Sequence, residues 1–196
     1  MNLPNKLTVS RFALTAVFMG VIFAGFPANE SCALAVFVAA SLTDLFDGQI
    51  ARRRGLITNF GILMDPLADK ILTCSAFIAF VELRKIEAWM VVIIVARELA
   101  ITGLRLLAAS RQVVLAAEGF GKQKTIAQIV SAIAILVSIS YEQWGPVGQV
   151  LFGWSLFGHP WIIQFVPVAN WVAVLLTIIS GGLYLWRNRQ LYLHDA

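Results

Sequence analysis

Four aspartates, Asp44, Asp47, Asp65 and Asp69, lie within one short stretch of an otherwise apolar chain. Their spacing reads D-x-x-D-G-x-x-A-R, then eight residues, then G-x-x-x-D-x-x-x-D. On helices, separations of three and four place each carboxylate pair on one face. The segment between the pairs is short and basic, so two antiparallel neighbouring helices would bring all four groups to one depth. Four carboxylates at close range raise one another's pKa unless a cation compensates them. Oxygen donors without nearby His or Cys favour Mg²⁺ or Mn²⁺, then Ca²⁺, over zinc or copper. Two ions suit the carboxylate count, and paired metals are a recurrent apparatus for displacement at phosphorus. The plainer alternative is ion pairing with Arg52, Arg53, Arg54 and Lys70 at a membrane edge. It explains neither the matched spacing nor the small residues Gly48 and Ala51, which leave room for a ligand against the backbone.

The elements that must position these groups are apolar. The 196 residues are 59% hydrophobic and 13% charged, with a mean hydropathy of +0.81, a composition that excludes an ordinary soluble domain and predicts an integral membrane protein. Six segments, Leu7 to Phe26, Cys32 to Ile50, Pro66 to Leu83, Ala88 to Ala109, Thr125 to Tyr141 and Val168 to Leu185, each approach the roughly 20 residues needed to span a bilayer as a helix. The expected fold is all-α, a six-transmembrane-helix bundle forming a single domain over residues 1–196. Asn5 is placed to cap the first helix. Pro66 after Asp65 suits a helix that starts there with Asp65 as its cap; a helix starting earlier would instead be kinked beside the aspartates.

Lys6, Arg11, Arg52, Arg53, Arg54, Arg105, Arg111, Lys122, Lys124, Arg187 and Arg189 fall on one side of this topology, and Arg84 and Lys85 on the other. The asymmetry predicts both termini, and the aspartates, on the cytoplasmic side. The net charge of +4 suits anionic headgroups and is no sign of nucleic-acid binding. Residues 142–167, rich in Trp, Gly and Pro, read as an outer interfacial or re-entrant loop. His159 and His194 stand alone, and Cys32 and Cys74 fall within spans with no disulfide or zinc pattern. Gly119-Phe120-Gly121-Lys122 is not a phosphate-binding loop, because Ala116 and Gln123 break the required spacing.

Asp44, Asp47, Gly48, Ala51, Arg52, Gly61, Asp65 and Asp69 match every fixed position of the signature of the CDP-alcohol phosphotransferase family, which the chain therefore resembles. The resemblance implies a six-helix membrane bundle, usually a homodimer, with a cytoplasm-facing cavity. It implies that Asp44, Asp47, Asp65 and Asp69 surround two divalent ions and that Asp69 is the general base. It further implies a CDP-lipid pocket at Asp44, Gly48, Ala51 and Arg52, to which Thr58 adds a phosphate contact. Segments 64–70, 96–98, 103–105 and 121–125 resemble the phosphatidylglycerophosphate synthase branch, with Met64 where that branch often has Leu. That branch joins CDP-diacylglycerol to sn-glycerol 3-phosphate and releases CMP, in a bacterial cytoplasmic membrane. A dianionic acceptor calls for cations, and Arg97, Arg105, Lys122 and Lys124 are the candidates; an Arg within a span is expected to face a polar cavity. Phosphatidylinositol phosphate synthase and phosphatidylserine synthase are the rivals within the family, and a divalent-cation transporter the rival outside enzymes.

Overall fold

The computed structural model describes residues 3–54, 59–111 and 119–189, with side-chain surroundings for 9–43, 70–111 and 121–189. Six long helices carry the chain: α1 (Leu3–Ile22), α2 (Asn29–Arg54), α3 (Asn59–Glu82), α4 (Ala88–Ser110), α5 (Gly119–Ser140) and α7 (Trp161–Arg187). A 3-10 turn (Tyr141–Trp144), the short helix α6 (Gly145–Phe152) and a two-residue hairpin, β1 (Ser155–Leu156) with β2 (His159–Pro160), cap one end between α5 and α7.

Several boundaries differ from the sequence expectation. Helix α1 begins at Leu3, so Asn5 lies inside it and does not cap it. Helix α3 begins at Asn59, so Asp65 is no cap and Pro66 sits two turns inside the helix. There the proline ring leaves the Ile62 carbonyl without its usual N–H partner. The expected loop 142–167 is mostly ordered secondary structure: Pro146 occupies the first turn of α6, where its missing N–H is harmless. Helix α7 already starts at Trp161 and absorbs Pro167, as helices in apolar surroundings do. In each case a proline that reads as a boundary is accommodated within a helical turn.

The turns are set by identifiable contacts. Asn29, opening α2, donates from Nδ2 to the carbonyl of Ile22 at 3.0 Å, satisfying an end group of α1. At the end of α3, Lys85 N–H bonds the Phe80 carbonyl at 2.8 Å and Arg84 N–H the Val81 carbonyl at 2.9 Å. With Arg84 at φ 55°, this is a left-handed helix termination that usually selects glycine.

Helix α1 packs on α2 and α3, α5 on α7, α2 and α3, and α4 on α3 and α7. Phe18, Phe37, Phe77, Phe80, Ile94, Ile135 and Leu136 are fully buried at the centre, with Phe18 and Phe37 ring centroids 5.8 Å apart. Alanines at 33, 76, 79, 132 and 169 let the helices approach closely. The outer surface is also apolar: Val92, Leu99, Ile126, Trp171, Leu175, Ile178 and Ile179 are exposed. Helices apolar on both faces belong in hydrocarbon. Among the described residues, the segments Gly121–Phe152 and Trp161–Arg187 are long and apolar enough to cross a membrane, and Val9–Ile22 and Asn29–Thr43 are shorter apolar stretches.

A polar seam runs through this interior between α5 and α7. Gln128 Nε2 donates to Thr177 Oγ1 at 3.0 Å, Ser131 Oγ to Asn170 Oδ1 at 2.6 Å, and Asn170 Nδ2 to the Lys85 carbonyl at 3.4 Å. The seam fixes the register of the two helices, since a slip would leave several buried polar groups unpaired. Replacing Asn170 with Ala strands the Ser131 hydroxyl. It should lower stability by about 0.5–2 kcal/mol, read as an earlier thermal unfolding of purified protein in detergent.

Candidate active site

Four residues separate Arg54, the last of α2, from Asn59, the first of α3. Asp47 and Asp44 lie seven and ten residues before Arg54, and Asp65 and Asp69 six and ten residues after Asn59. At 1.5 Å per residue these are about 10 and 15 Å along α2 and about 9 and 15 Å along α3. Gly48, Ala51 and Arg52 share α2 with the first pair. The side chains of these seven residues lie outside the described residues, and Thr58 lies outside them altogether, as does His194.

One residue beyond Asp69, the described side chains begin with Lys70, and they open on a buried ionic cluster. Its centre is Glu98 on α4, 3% exposed. Lys70 from α3 places Nζ 2.6 Å from Glu98 Oε2. Lys124 from α5, equally buried, donates to Glu98 Oε1. Arg97 Nη1 reaches the same Oε1 at 3.3 Å. Gln128 Oε1 accepts a second, longer bond from Lys124 Nζ at 3.4 Å, so the polar seam of the fold ends in this cluster. Beside it lies a small, half-open pocket lined by Lys70, Thr73, Cys74, Lys124, Thr125 and Gln128 together with Glu98. Lys70 is the most open of the charged groups, with 30% of its side chain exposed.

The four cations expected from sequence thus separate into two sets. Arg97 and Lys124 converge on Glu98. Arg105, a little over two turns from Arg97 along α4, instead donates from Nε to the Tyr184 hydroxyl at 3.3 Å, its guanidinium 5.5 Å from that ring's centroid. Lys122 is exposed. Sequence reasoning missed Glu98 as the centre and Lys70 as a member of the cluster. The available signal was a carboxylate inside an apolar run, which demands cations from elsewhere in the chain. Cys32 is exposed, Cys74 borders the pocket as a free thiol, and His159 sits exposed in the hairpin.

Helix α7 makes room for Arg97. A Cβ on Gly181 would stand 2.8 Å from Arg97 Cγ, too close to the root of the side chain to be relieved by moving its tip. Only glycine lets α4 and α7 pack with Arg97 between them.

Comparison with known proteins bears on what these groups do. A family model for the CDP-alcohol phosphatidyltransferases matches residues 1–179. The chain belongs to the CDP-alcohol phosphatidyltransferase family. A relative in Bacillus subtilis (strain 168), named CDP-diacylglycerol--glycerol-3-phosphate 3-phosphatidyltransferase, is 40% identical over 200 residues, covering 95% of each chain. One of the same name in Rickettsia bellii is 34% identical over 183 residues and 93% of each. A probable phosphatidylglycerophosphate synthase of Mycobacterium tuberculosis is 38% identical over 189 residues, 95% of this chain and 81% of that one.

Among the described residues no three His, Cys, Asp or Glu converge to hold a metal. The aspartates of α2 and α3, whose side chains lie outside the described residues, are all-oxygen donors of the kind that suit a hard cation.

The packing at Gly181 can be tested directly. Gly181→Ala should destabilise the protein by about 1–3 kcal/mol. Adding Arg97→Ala should recover part of that loss, giving a coupling of at least roughly 0.5 kcal/mol in a double-mutant cycle followed by thermal unfolding.

Proposed function

We propose that this chain, a phosphatidyltransferase of its family, moves the phosphatidyl group of CDP-diacylglycerol to sn-glycerol 3-phosphate, giving phosphatidylglycerophosphate and CMP. The observation that carries the reading is the join between two sites. The eight-position signature spans α2 and α3, and its last aspartate adjoins Lys70 of a cationic cluster suited to a phosphorylated acceptor. The relatives' names agree with it.

The residues divide the work as follows. Gly48 and Ala51 present a backbone that a nucleotide can approach, and Arg52 supplies a forked donor set for phosphate oxygens, with Thr58 adding a hydroxyl. Asp44, Asp47, Asp65 and Asp69 would hold the divalent metal the family uses, Mg²⁺ or Mn²⁺ and two ions in this reading, which would supply charge neutralisation at the pyrophosphate. Asp69 takes the proton from an acceptor hydroxyl. That oxygen forms a bond to the phosphorus carrying diacylglycerol, and the bond from that phosphorus to the CMP oxygen breaks. Lys70, Arg97 and Lys124 draw the acceptor phosphate to the pocket beside Asp69, while Arg105 and Lys122 raise the positive potential at its approach.

The same reading sets the chain in the membrane. The six long helices cross the bilayer and the Lys/Arg asymmetry keeps both termini and the site on the cytoplasmic side, in a bacterial inner membrane. The functional unit is a homodimer.

Purified protein given CDP-diacylglycerol and Mg²⁺ or Mn²⁺ should release CMP with glycerol 3-phosphate and not with inositol 1-phosphate or serine; a metal chelator should stop it. Release with another acceptor would overturn the substrate assignment. Silence of metal-replete protein with all three, joined to divalent-cation uptake into sealed vesicles, would overturn the enzyme reading. Asp69→Asn should cut turnover by about 10²–10⁴-fold, the usual worth of a general base, with the fold intact by size-exclusion profile. Near-normal turnover would remove Asp69 from that role.

A further inference from the structure

Glu98 has no chemical task in the reaction just described, yet it is the group the cluster is built on. Each of its oxygens already faces a cation: Oε2 faces Lys70 at 2.6 Å, and Oε1 faces Lys124 and Arg97. A carboxylate so engaged is poorly placed to take a substrate proton. Its distinctive property is reach, because its partners come from α3, α4 and α5. A shared anion offsets the mutual repulsion of three cations this close.

We propose that Glu98 is a positioning residue for the acceptor phosphate. It holds Lys70 and Lys124, which line the pocket, together with Arg97 around one carboxylate, so that the phosphate meets donors already in place. The inference rests on the acceptor assignment above. Three observations outside the ion pairs support it. Gln128 bonds Lys124 from one side while itself bonded to Thr177, and Gly181 leaves the space that Arg97 occupies. Lys70 and Lys124 both line the open pocket. The surroundings thus support the cations from outside, and Glu98 sets where they converge.

A purely electrostatic role predicts the opposite sign. Removing the Glu98 carboxylate makes the pocket more positive by one charge, so if charge alone bound the acceptor, Glu98→Gln would bind it more tightly. If position matters, the same change weakens binding, because the cations spread. The pair Glu98→Gln with Lys124→Gln restores the original net charge while abolishing the clamp.

The test measures KM for each substrate and kcat with purified protein in detergent, together with the thermal shift produced by glycerol 3-phosphate alone. Wild type that is silent with glycerol 3-phosphate would sink the acceptor assignment, a result obtained before any variant is compared. With wild type active, Glu98→Gln should raise KM for glycerol 3-phosphate roughly ten- to hundredfold, as expected for loss of charge-assisted contacts, and leave KM for CDP-diacylglycerol within about threefold. The glycerol 3-phosphate thermal shift should shrink in step. The charge-restored double variant should be no better than Glu98→Gln, and Glu98→Asp, one methylene shorter, should fall between it and wild type. An unchanged or lower acceptor KM in Glu98→Gln, recovery in the double variant, or equal rises in both KM values would overturn the proposal. Should Glu98→Gln not fold, folded Glu98→Asp with a wild-type acceptor KM would overturn it equally.

Discussion

A carboxylate enclosed by helices must be met by cations, and that requirement organises one end of this bundle. Glu98 is nearly inaccessible, and leaving such a charge unmatched costs several kcal/mol. Its partners arrive from α3, α4 and α5, helices that meet chiefly through apolar side chains elsewhere along their length. Apolar packing tolerates sliding and rotation between helices. An ionic contact with defined donor and acceptor positions does not, so the cluster selects one arrangement from the many that would bury similar area.

The seam between α5 and α7 extends the same logic. Gln128 joins the ionic cluster to Thr177, and Ser131 joins Asn170, which reaches the turn after α3 through the Lys85 carbonyl. Each bond is of modest net worth in a membrane-type interior. Their joint effect is on register, since α5 cannot move by one turn without stranding Gln128 and Ser131 together. The position of Lys124 is therefore inherited from contacts farther along the same helix.

The sequence makes the apolar helices and the aspartate spacing plain, because periodicity and repeated carboxylates survive without knowledge of tertiary contacts. Helix ends are harder to read. Pro66 and Pro167 look like boundaries because proline lacks an N–H, but a single missing hydrogen bond is tolerated inside a long helix held by its neighbours. Asn5 looks like a cap by residue type, while the helix begins two residues earlier. Arg97 and Lys124 were legible as cations needing a polar setting. Glu98 was not legible as their meeting point, because nothing in local sequence tells which of Lys70, Arg97, Arg105, Lys122 and Lys124 will share it. Arg105 goes to Tyr184 instead, a partner 79 residues away that no spacing rule identifies.

Helix α3 carries Asp69 and Lys70 in succession. Consecutive helical residues are separated by 1.5 Å of rise and about 100° of rotation, so the end of the aspartate signature and the start of the cation cluster are held in a fixed relation by one backbone. Two partial sites on separate loops would need their relative position restored in every turnover, whereas two on one helix turn keep it. Pro66 stands one turn before this point, where the missing N–H weakens the helix ladder. The packing of α3 against α1, α4 and α5, together with the Lys70 to Glu98 ion pair, compensates for that weakness. On this reasoning the buried carboxylate of α4 acts on α3 at Lys70, the cation end of that shared turn.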